Sequence, residues 1–519
     1  MGRVIASFNK ILNKAMRSVV YAGLCVFVGI ADVIDISANA LAQDSARTTI
    51  DSTKPFNNTQ SPLDHYDQLP DLGSQAESFL SDEKAKLLGK SFIRQSRYRM
   101  PYISDPELVG YINRLGNRLL EASPDAGEDY NFYLIDDNVI NAFAVPGGYI
   151  AMHKAILTKS ETESELASVI AHEISHITQS HISRRLENSK YDSWVALGAL
   201  LAAVASGSAD AAQAAIGVSQ ASILDRQLSY SRDFEAEADS LGIRLLSRAG
   251  FDPSAMPRFF KRLLDENRVS EASSLEFLRS HPLTVSRITE SAQRVANYPE
   301  AAPQDNHEFL MMQAKAQAVY AKDSLLSRKL FSDRIANGDK SLPTHYGYAI
   351  ALSKNGEYDS ARREFTKILK DHPNNASVRL MEADNELEAN NIDLGLAKLR
   401  KAYQDETRKG NSIIDLYYAN ALVLTNHTDE AIPIIRNALS KNKSEPYLHF
   451  LLARAYAAKG DKKGSYRERG EYHYLRGNYQ FAIEQFKRAF RLVKTEYERE
   501  SLGARIEDVA REFEAIKKL

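Results

Sequence analysis

The chain has 519 residues, 44% hydrophobic and 26% charged, with a net charge of −2. That length divides into about two to four domains, and the balanced charge with no long basic run does not suggest nucleic-acid binding. Cys25 is the one cysteine, and it sits in the N-terminal apolar segment. A mature chain without that segment has no disulfides, no thiol nucleophile and no Cys ligands, so a metal site must use His and carboxylates.

The N-terminus has the pattern of an export signal. Arg3, Lys10, Lys14 and Arg17 precede an apolar run from Val19 to Ala31, and Ala40-Leu41-Ala42 offers a small-x-small cleavage site before Gln43. The run is shorter than the roughly 20 residues that span a bilayer. Asp32 and Asp35 lengthen the polar stretch before cleavage, so an uncleaved anchor is the alternative. Leu24 before Cys25 does not fit a lipoprotein site. Residues 1–42 are read as a signal peptide and 43–75, rich in Ser, Thr, Asp, Asn and Pro, as an extended linker or arm.

A helix is expected from Asp82 into the nineties. Another covers Leu108 to Leu120, with Leu108, Ile112, Leu115, Leu119 and Leu120 at helical spacing. Asn131–Ile135 and Tyr149–Met152 read as short strands around Asn141-Ala-Phe-Ala-Val-Pro-Gly-Gly148, with Gly147-Gly148 as the turn. They form a hairpin or small sheet packed on the next helix, and an edge strand there could pair with substrate backbone.

That next helix carries the chemistry. From Glu165 to Ile177 the apolar residues recur with a helical period, and the stretch contains His172-Glu173-Ile174-Ser175-His176. Two His four residues apart share one face, so both imidazoles reach one ion. Glu173 leans over the same opening as a general base. Catalytic zinc keeps three protein ligands and one open position. A third ligand is expected from the helix Glu235–Leu246, which Gly250 terminates. Glu237 lies about 200° around that helix from Glu235, so both cannot face one ion. Asp239 shares a face with Glu235, which selects Glu235 as ligand and Asp239 as the group that orients a ligating His from behind. His181, further along the first helix, is expected to be an exposed polar residue. One Zn2+ per chain is implied.

Between these helices, Trp194–Ser206 and Ala211–Val218 are apolar and rich in small residues. They are too short to cross a membrane and read as two helices, joined at 207–210, that cover the cleft or touch a membrane surface or client. Tyr230, Arg232 and His281 are candidates to steady a tetrahedral oxyanion. The catalytic domain is assigned to 76–304.

From 305 to 519 the pattern is helical and repetitive. Ala361, Gly395, Ala431 and Ser465 occupy equivalent small positions at spacings of 34, 36 and 34, the tetratricopeptide period. Gly356-Glu-Tyr358 precedes Ala361, Phe365 follows, and Pro373 ends the pair. Gly477-Asn-Tyr479, Ala482, Phe486 and Ala489 repeat this half a period after Ser465, so one helix serves two pairs. Such pairs stack into a solenoid with a concave binding surface. Tyr466-Arg-Glu-Arg469 and Tyr472–Arg476 fit either that surface or packing between repeats. The fold class is mainly α: a zincin-like metalloprotease domain with a small β-sheet, then an α-solenoid.

HEISH, the later Glu235-Ala-Glu-Ala-Asp239 and the Asn141–Ile150 segment resemble the HtpX and CAAX-prenyl-endopeptidase class of zinc metallopeptidases (peptidase family M48). Leu69-Pro-Asp-Leu-Gly73 and the repeat tail sharpen the match to exported members from Gram-negative bacteria. The resemblance spans about 65 to 519. It implies His172, His176 and Glu235 as ligands, Glu173 as base and Asp239 behind them. It also implies that His281 lies near the cleft, closes the fourth position and holds the enzyme idle. Implied clients are misfolded or stalled outer-membrane proteins in the periplasm. The implied partner is the outer-membrane barrel assembly machinery, in a quality-control role. The competing reading is a periplasmic chaperone or adaptor whose zinc site is structural or rarely used.

Overall fold

The computed structural model describes residues 81–97, 100–188, 231–269, 277, 281–299, 301–302, 304–406 and 412–517. The expected signal peptide, the 43–75 arm, the two apolar stretches at 194–206 and 211–218, and Tyr230 lie outside the described residues. Residues 73–519 belong to one unit.

Helix α1 (Asp82–Ser96) is followed by α2 (Pro106–Glu121). Asp105 caps α2: its carboxylate accepts from the amides of Glu107 and Leu108, and Pro106 occupies the first turn. The buried face of α2 includes Leu108, Ile112, Leu115, Leu119 and Leu120, the residues whose spacing marks the helix, and Tyr111 joins them.

Three strands follow, β1 (Asn131–Ile135), β2 (Ala142–Val145) and β3 (Tyr149–His153), in the order β1-β3-β2. β1 runs parallel to β3, with Asn131 opposite Tyr149, and β2 runs antiparallel to it. Gly147 and Gly148 both have φ of +84°, a conformation that a Cβ disfavours, and their turn makes β2–β3 a hairpin. β2 is left on an edge of the sheet.

Helices α3 (Lys154–Lys159), α4 (Glu163–Thr178), α5 (His181–Asn188), α6 (Arg232–Arg248), α7 (Ala255–Val269) and α8 (Val285–Val295) complete the body that precedes the repeats. α4 starts at Thr162, whose hydroxyl accepts from the Glu165 amide, and Glu165 reaches back to the amide of Glu161. Every residue from Ser164 to His176 is buried, because α2, β2, β3, α6 and α7 pack around α4. The approach of α6 is close. A Cβ on Gly242 would lie 3.4 Å from the backbone nitrogen of His172 and 2.8 Å from Met256. Gly250, with φ of +75°, stands just beyond the end of α6.

The tail is a run of helix pairs: α9 (His307–Val319) with α10 (Ser324–Ala336), α11 (Leu342–Lys354) with α12 (Tyr358–Asp371), α13 (Ala376–Glu388) with α14 (Ile392–Glu406), α15 (Ser412–Leu424) with α16 (Thr428–Lys441), α17 (Pro446–Ala458) with α18 (Lys462–Leu475), and α19 (Tyr479–Phe490) with α20 (Glu496–Lys517). Ala361, Gly395, Ala431 and Ser465 are all buried, each on the second helix of its pair. A Cβ on Gly395 would lie 2.7 Å from Leu387, so the small positions are where helices cross. α18 packs against both α17 and α19, which places Ala482 half a period after Ser465.

One apolar cluster runs from Leu108 on α2 through Ile170 on α4 to Phe309 on α9 and Phe365 on α12. The body that carries the sheet and the first repeats therefore share a core. At the far end of the tail, α20 returns to α1. Arg94 donates to Glu512 at 2.6 Å and to the Tyr479 hydroxyl at 3.0 Å, and its guanidinium lies 4.1 Å from the ring centre of Tyr474. Of the two readings open for the Tyr472–Arg476 stretch, Tyr474 follows the packing one. Among the described residues, no helix is long and apolar enough to cross a membrane.

Candidate metal centre

α4, α6 and the loop before α8 meet at one point. His172, His176, Glu235 and His281 each offer a ligand atom there, all within 4.8 Å of one another, and all four residues are buried. The Nε2 atoms of His172 and His176 are 3.0 Å apart. Glu235 places Oε1 3.3 Å from His176 Nε2 and Oε2 3.6 Å from His172 Nε2. His281 Nδ1 lies 3.2 Å from His172 Nε2 and 3.0 Å from Glu235 Oε1. Donors bound to one tetrahedral ion at about 2.0–2.1 Å stand roughly 3.3 Å apart, so the spacings fit a single small cation.

The charge count gives the same answer. Glu173, Glu235 and Asp239 are three buried carboxylates facing one buried guanidinium, Arg287. Three acids beside one fixed guanidinium leave an excess of carboxylate in a dry site, an arrangement that a bound cation would relieve.

The ring orientations are set from behind. His172 turns Nδ1 toward Oδ1 of Asp239, 3.0 Å away. Asp239 is held in turn by Arg287, whose Nε and Nη2 donate to its two oxygens at 2.8 Å each, a fork-to-carboxylate geometry. Arg287 Nη1 also reaches Glu235 Oε2 at 2.6 Å and the carbonyl of Pro282 at 2.8 Å. One guanidinium thus ties together α6 and the loop that carries His281.

His181 is not the exposed residue expected from the sequence. It is fully buried, with Nδ1 2.8 Å from Nδ1 of His176 and Nε2 3.1 Å from Oε2 of Glu237. The turn after α4 explains the difference. Ser180 adopts φ of +48° and starts a separate helix, which swings His181 back under α4 rather than out along its axis. Glu237 faces His181 and Arg184, away from the donor cluster, as its angle from Glu235 requires.

Burial and neighbouring charge set the protonation states. Burial pushes Glu173 above the ordinary carboxylate range, against the pull of His281 and His172. Burial also holds His176 well below its usual value and so keeps it neutral. For Glu235 burial works upward, but the charge of His281 and hydrogen bonds from His176 and His281 outweigh it and hold the carboxyl well below its usual range. For His281 burial works downward, and the charges of Glu235 and Glu173 raise it. Oε1 of Glu173 is 3.4 Å from His281 Nε2, and the backbone of Ala144 on β2 is a further polar group that pulls this carboxyl down.

Of the three oxyanion candidates, His281 is in the cluster and Arg232 is exposed in the first turn of α6. Arg287 was missed by sequence reasoning. Its signal was the carboxylate surplus itself, since three buried acids around two His require a fixed cation somewhere in the chain.

Residues 106–295 match Peptidase family M48, and 346–411 match a tetratricopeptide repeat. The beta-barrel assembly-enhancing protease of Escherichia coli O157:H7 is 34% identical over 437 residues, which is 83% of this chain and 88% of that protein. The chain belongs to this peptidase family. It is a metallopeptidase with tetratricopeptide repeats. The beta-barrel assembly-enhancing protease of Yersinia pestis is 33% identical, covering 89% of this chain and 95% of that protein. Metalloprotease LoiP of Escherichia coli (strain K12) is 27% identical and covers 43% of this chain, less than the two assembly-enhancing proteases. An M48 peptidase works with a metal, and the His–Glu group described above fits one by spacing and by charge.

Proposed function

We propose that the chain is a zinc-dependent endopeptidase of the periplasm that acts in outer-membrane protein quality control, exported by the N-terminal signal at 1–42. The protease domain occupies 76–304 and the repeat domain 305–519. His172, His176 and Glu235 hold the ion. Bound zinc supplies Lewis acidity and a water acidic enough to lose a proton near neutral pH. Glu173 takes that proton and hands it to the leaving nitrogen when the peptide bond breaks. Asp239, fixed by Arg287, holds the His172 ring. The observation that carries the reading is the convergence of two imidazole nitrogens and a carboxylate oxygen on one buried point with Glu173 beside it.

His281 gives the site a resting state. Its Nδ1 stands among the ligand atoms and its Nε2 faces Glu173, so it fills the position that a substrate carbonyl needs. His281→Ala is expected to raise basal cleavage of an unfolded β-barrel client, and unchanged cleavage would count against the gate. Metal analysis of the purified protein, with proteolysis measured with and without a chelator, tests the assignment as a whole.

The family relationship supports outer-membrane β-barrel precursors as clients and the barrel assembly machinery as partner. The repeats supply the surface. A cavity of about 510 Å³ opens between α2, α9, α13 and α15, with Met311, Met312, Leu380 and Ile413 on its wall and Arg114 and Glu308 among the charged groups. A client segment rich in alternating apolar residues suits such a wall.

A further inference from the structure

We infer that His181 is a positioning residue for the metal centre: by accepting a hydrogen bond from Nδ1 of His176, it fixes which nitrogen of that ligand is bare. The inference rests on the metallopeptidase reading and adds a residue to it.

The direction of the chain of hydrogen bonds follows from its outer end. An ionised carboxylate only accepts. Glu237 Oε2 receives Arg184 Nη1 at 3.0 Å and faces His181 Nε2 at 3.1 Å, so the His181 proton sits on Nε2. Nδ1 of neutral His181 is then an acceptor. The 2.8 Å contact between the two Nδ1 atoms requires His176 to donate, which places its proton on Nδ1 and leaves Nε2 bare. That Nε2 is the atom 3.3 Å from Glu235 and 3.0 Å from His172 Nε2. The tautomer that a metal needs is therefore set by a relay of Glu237, His181 and His176, which begins about two side chains away from the ion.

The ring of His181 cannot turn freely to abandon this role. It stacks on Phe234, with ring centres 4.5 Å apart and planes 16° apart, and Phe234 precedes Glu235 in the first turn of α6. The same stack therefore ties the relay to the helix that delivers the carboxylate ligand. The two His ligands are oriented by different means: His172 faces a carboxylate directly, and His176 reaches one through a second imidazole.

The test uses the full-length protein and zinc itself. Outer partners of this kind are typically worth about 10–100-fold in metal affinity. Asparagine places its oxygen near the Nδ1 position of histidine, and glutamine near Nε2. His181→Asn should keep the acceptor for His176 and retain affinity close to that of the parent. His181→Gln and His181→Leu should remove it and weaken zinc binding about 10–100-fold in a chelator competition. They should also shift the visible absorption of the cobalt-substituted protein, with melting of the metal-free form checking that the fold survives. Should His181→Leu fail to fold, Glu237→Gln gives the second reading, with a smaller loss of affinity and an altered cobalt spectrum. Parental affinity and spectrum in His181→Gln, with binding lost in His176→Ala, would overturn the inference alone. Parental affinity in His176→Ala would overturn the metal centre, and the inference with it.

Discussion

Among the described residues, the metal centre and the junction of α2 with the repeats both bury charge, and they differ in how completely their charges are matched. At the metal centre, acceptors face acceptors: two imidazole nitrogens are 3.0 Å apart, and Glu235 Oε1 lies 3.3 Å from one of them. At the junction of α2 with the repeats, the fully buried Lys315 stands between Asp105 and Glu107. There each oxygen has a donor. Asp105 Oδ1 accepts from two amides and from Lys315, its Oδ2 accepts from the Tyr417 hydroxyl at 2.8 Å, and Glu107 accepts from Lys315 and Ser377. Burial alone would raise Asp105, yet Lys315 holds it below the usual carboxylate range. Saturated charge fastens one part of the fold to another. Charge left open marks the place where something outside the chain must bind.

The comparison is sharpest at Glu173. Glu173→Gln keeps shape and donor set while removing the proposed base, and proteolysis should fall by about 10²–10⁴-fold with metal content unchanged. A variant that performs like its parent would favour the chaperone or adaptor reading. At the saturated cluster the effect should fall on stability instead. Lys315→Met strands two buried carboxylates and is expected to cost about 3–5 kcal/mol in denaturant unfolding, with activity per folded molecule unchanged. If activity fell while stability held, the two clusters would not be separable in this way. Asp239→Asn lies between these cases. It breaks the fork with Arg287, and zinc affinity should drop about 10–100-fold, read by chelator competition.

The smallest expected effect is a pH dependence in the repeats, where His449 Nδ1 lies 2.7 Å from Glu468 Oε2. Burial works against the charged imidazole, but Glu468 raises it, and Glu468 is itself held low by His449 and Arg467 against the effect of burial. The His449 contribution is complete below the ordinary histidine value and disappears as pH rises through its raised value. The Glu468 contribution is present above the ordinary carboxylate value and is lost as pH falls through its depressed value. His449→Gln should therefore lower stability by on the order of 1 kcal/mol between those limits. The gap in melting temperature to the parent should narrow above neutral pH, and a gap that stays constant into the alkaline range would contradict the pairing.

Local chemistry carried much of this protein in its sequence. The helical period through His172 and His176 put two candidate ligands on one face, and the angle between Glu235 and Glu237 on α6 separated the residue in the cluster from the one facing His181. The repeat period located the crossing positions Ala361, Gly395, Ala431 and Ser465. These succeed because each depends on residues within one or two turns of a single element, where backbone geometry fixes direction.

Two residues were illegible for the opposite reason. Arg287 neutralises Asp239 from 48 positions away, and His181 is buried only because Ser180 takes a left-handed turn that returns the chain beneath α4. Spacing in the sequence determined which residues could be ligands and how the tail repeats. Only the tertiary structure decided how α4, α6 and the His281 loop close on one point, since the cost of burying charge depends on every group that surrounds it and not on those nearest in the chain.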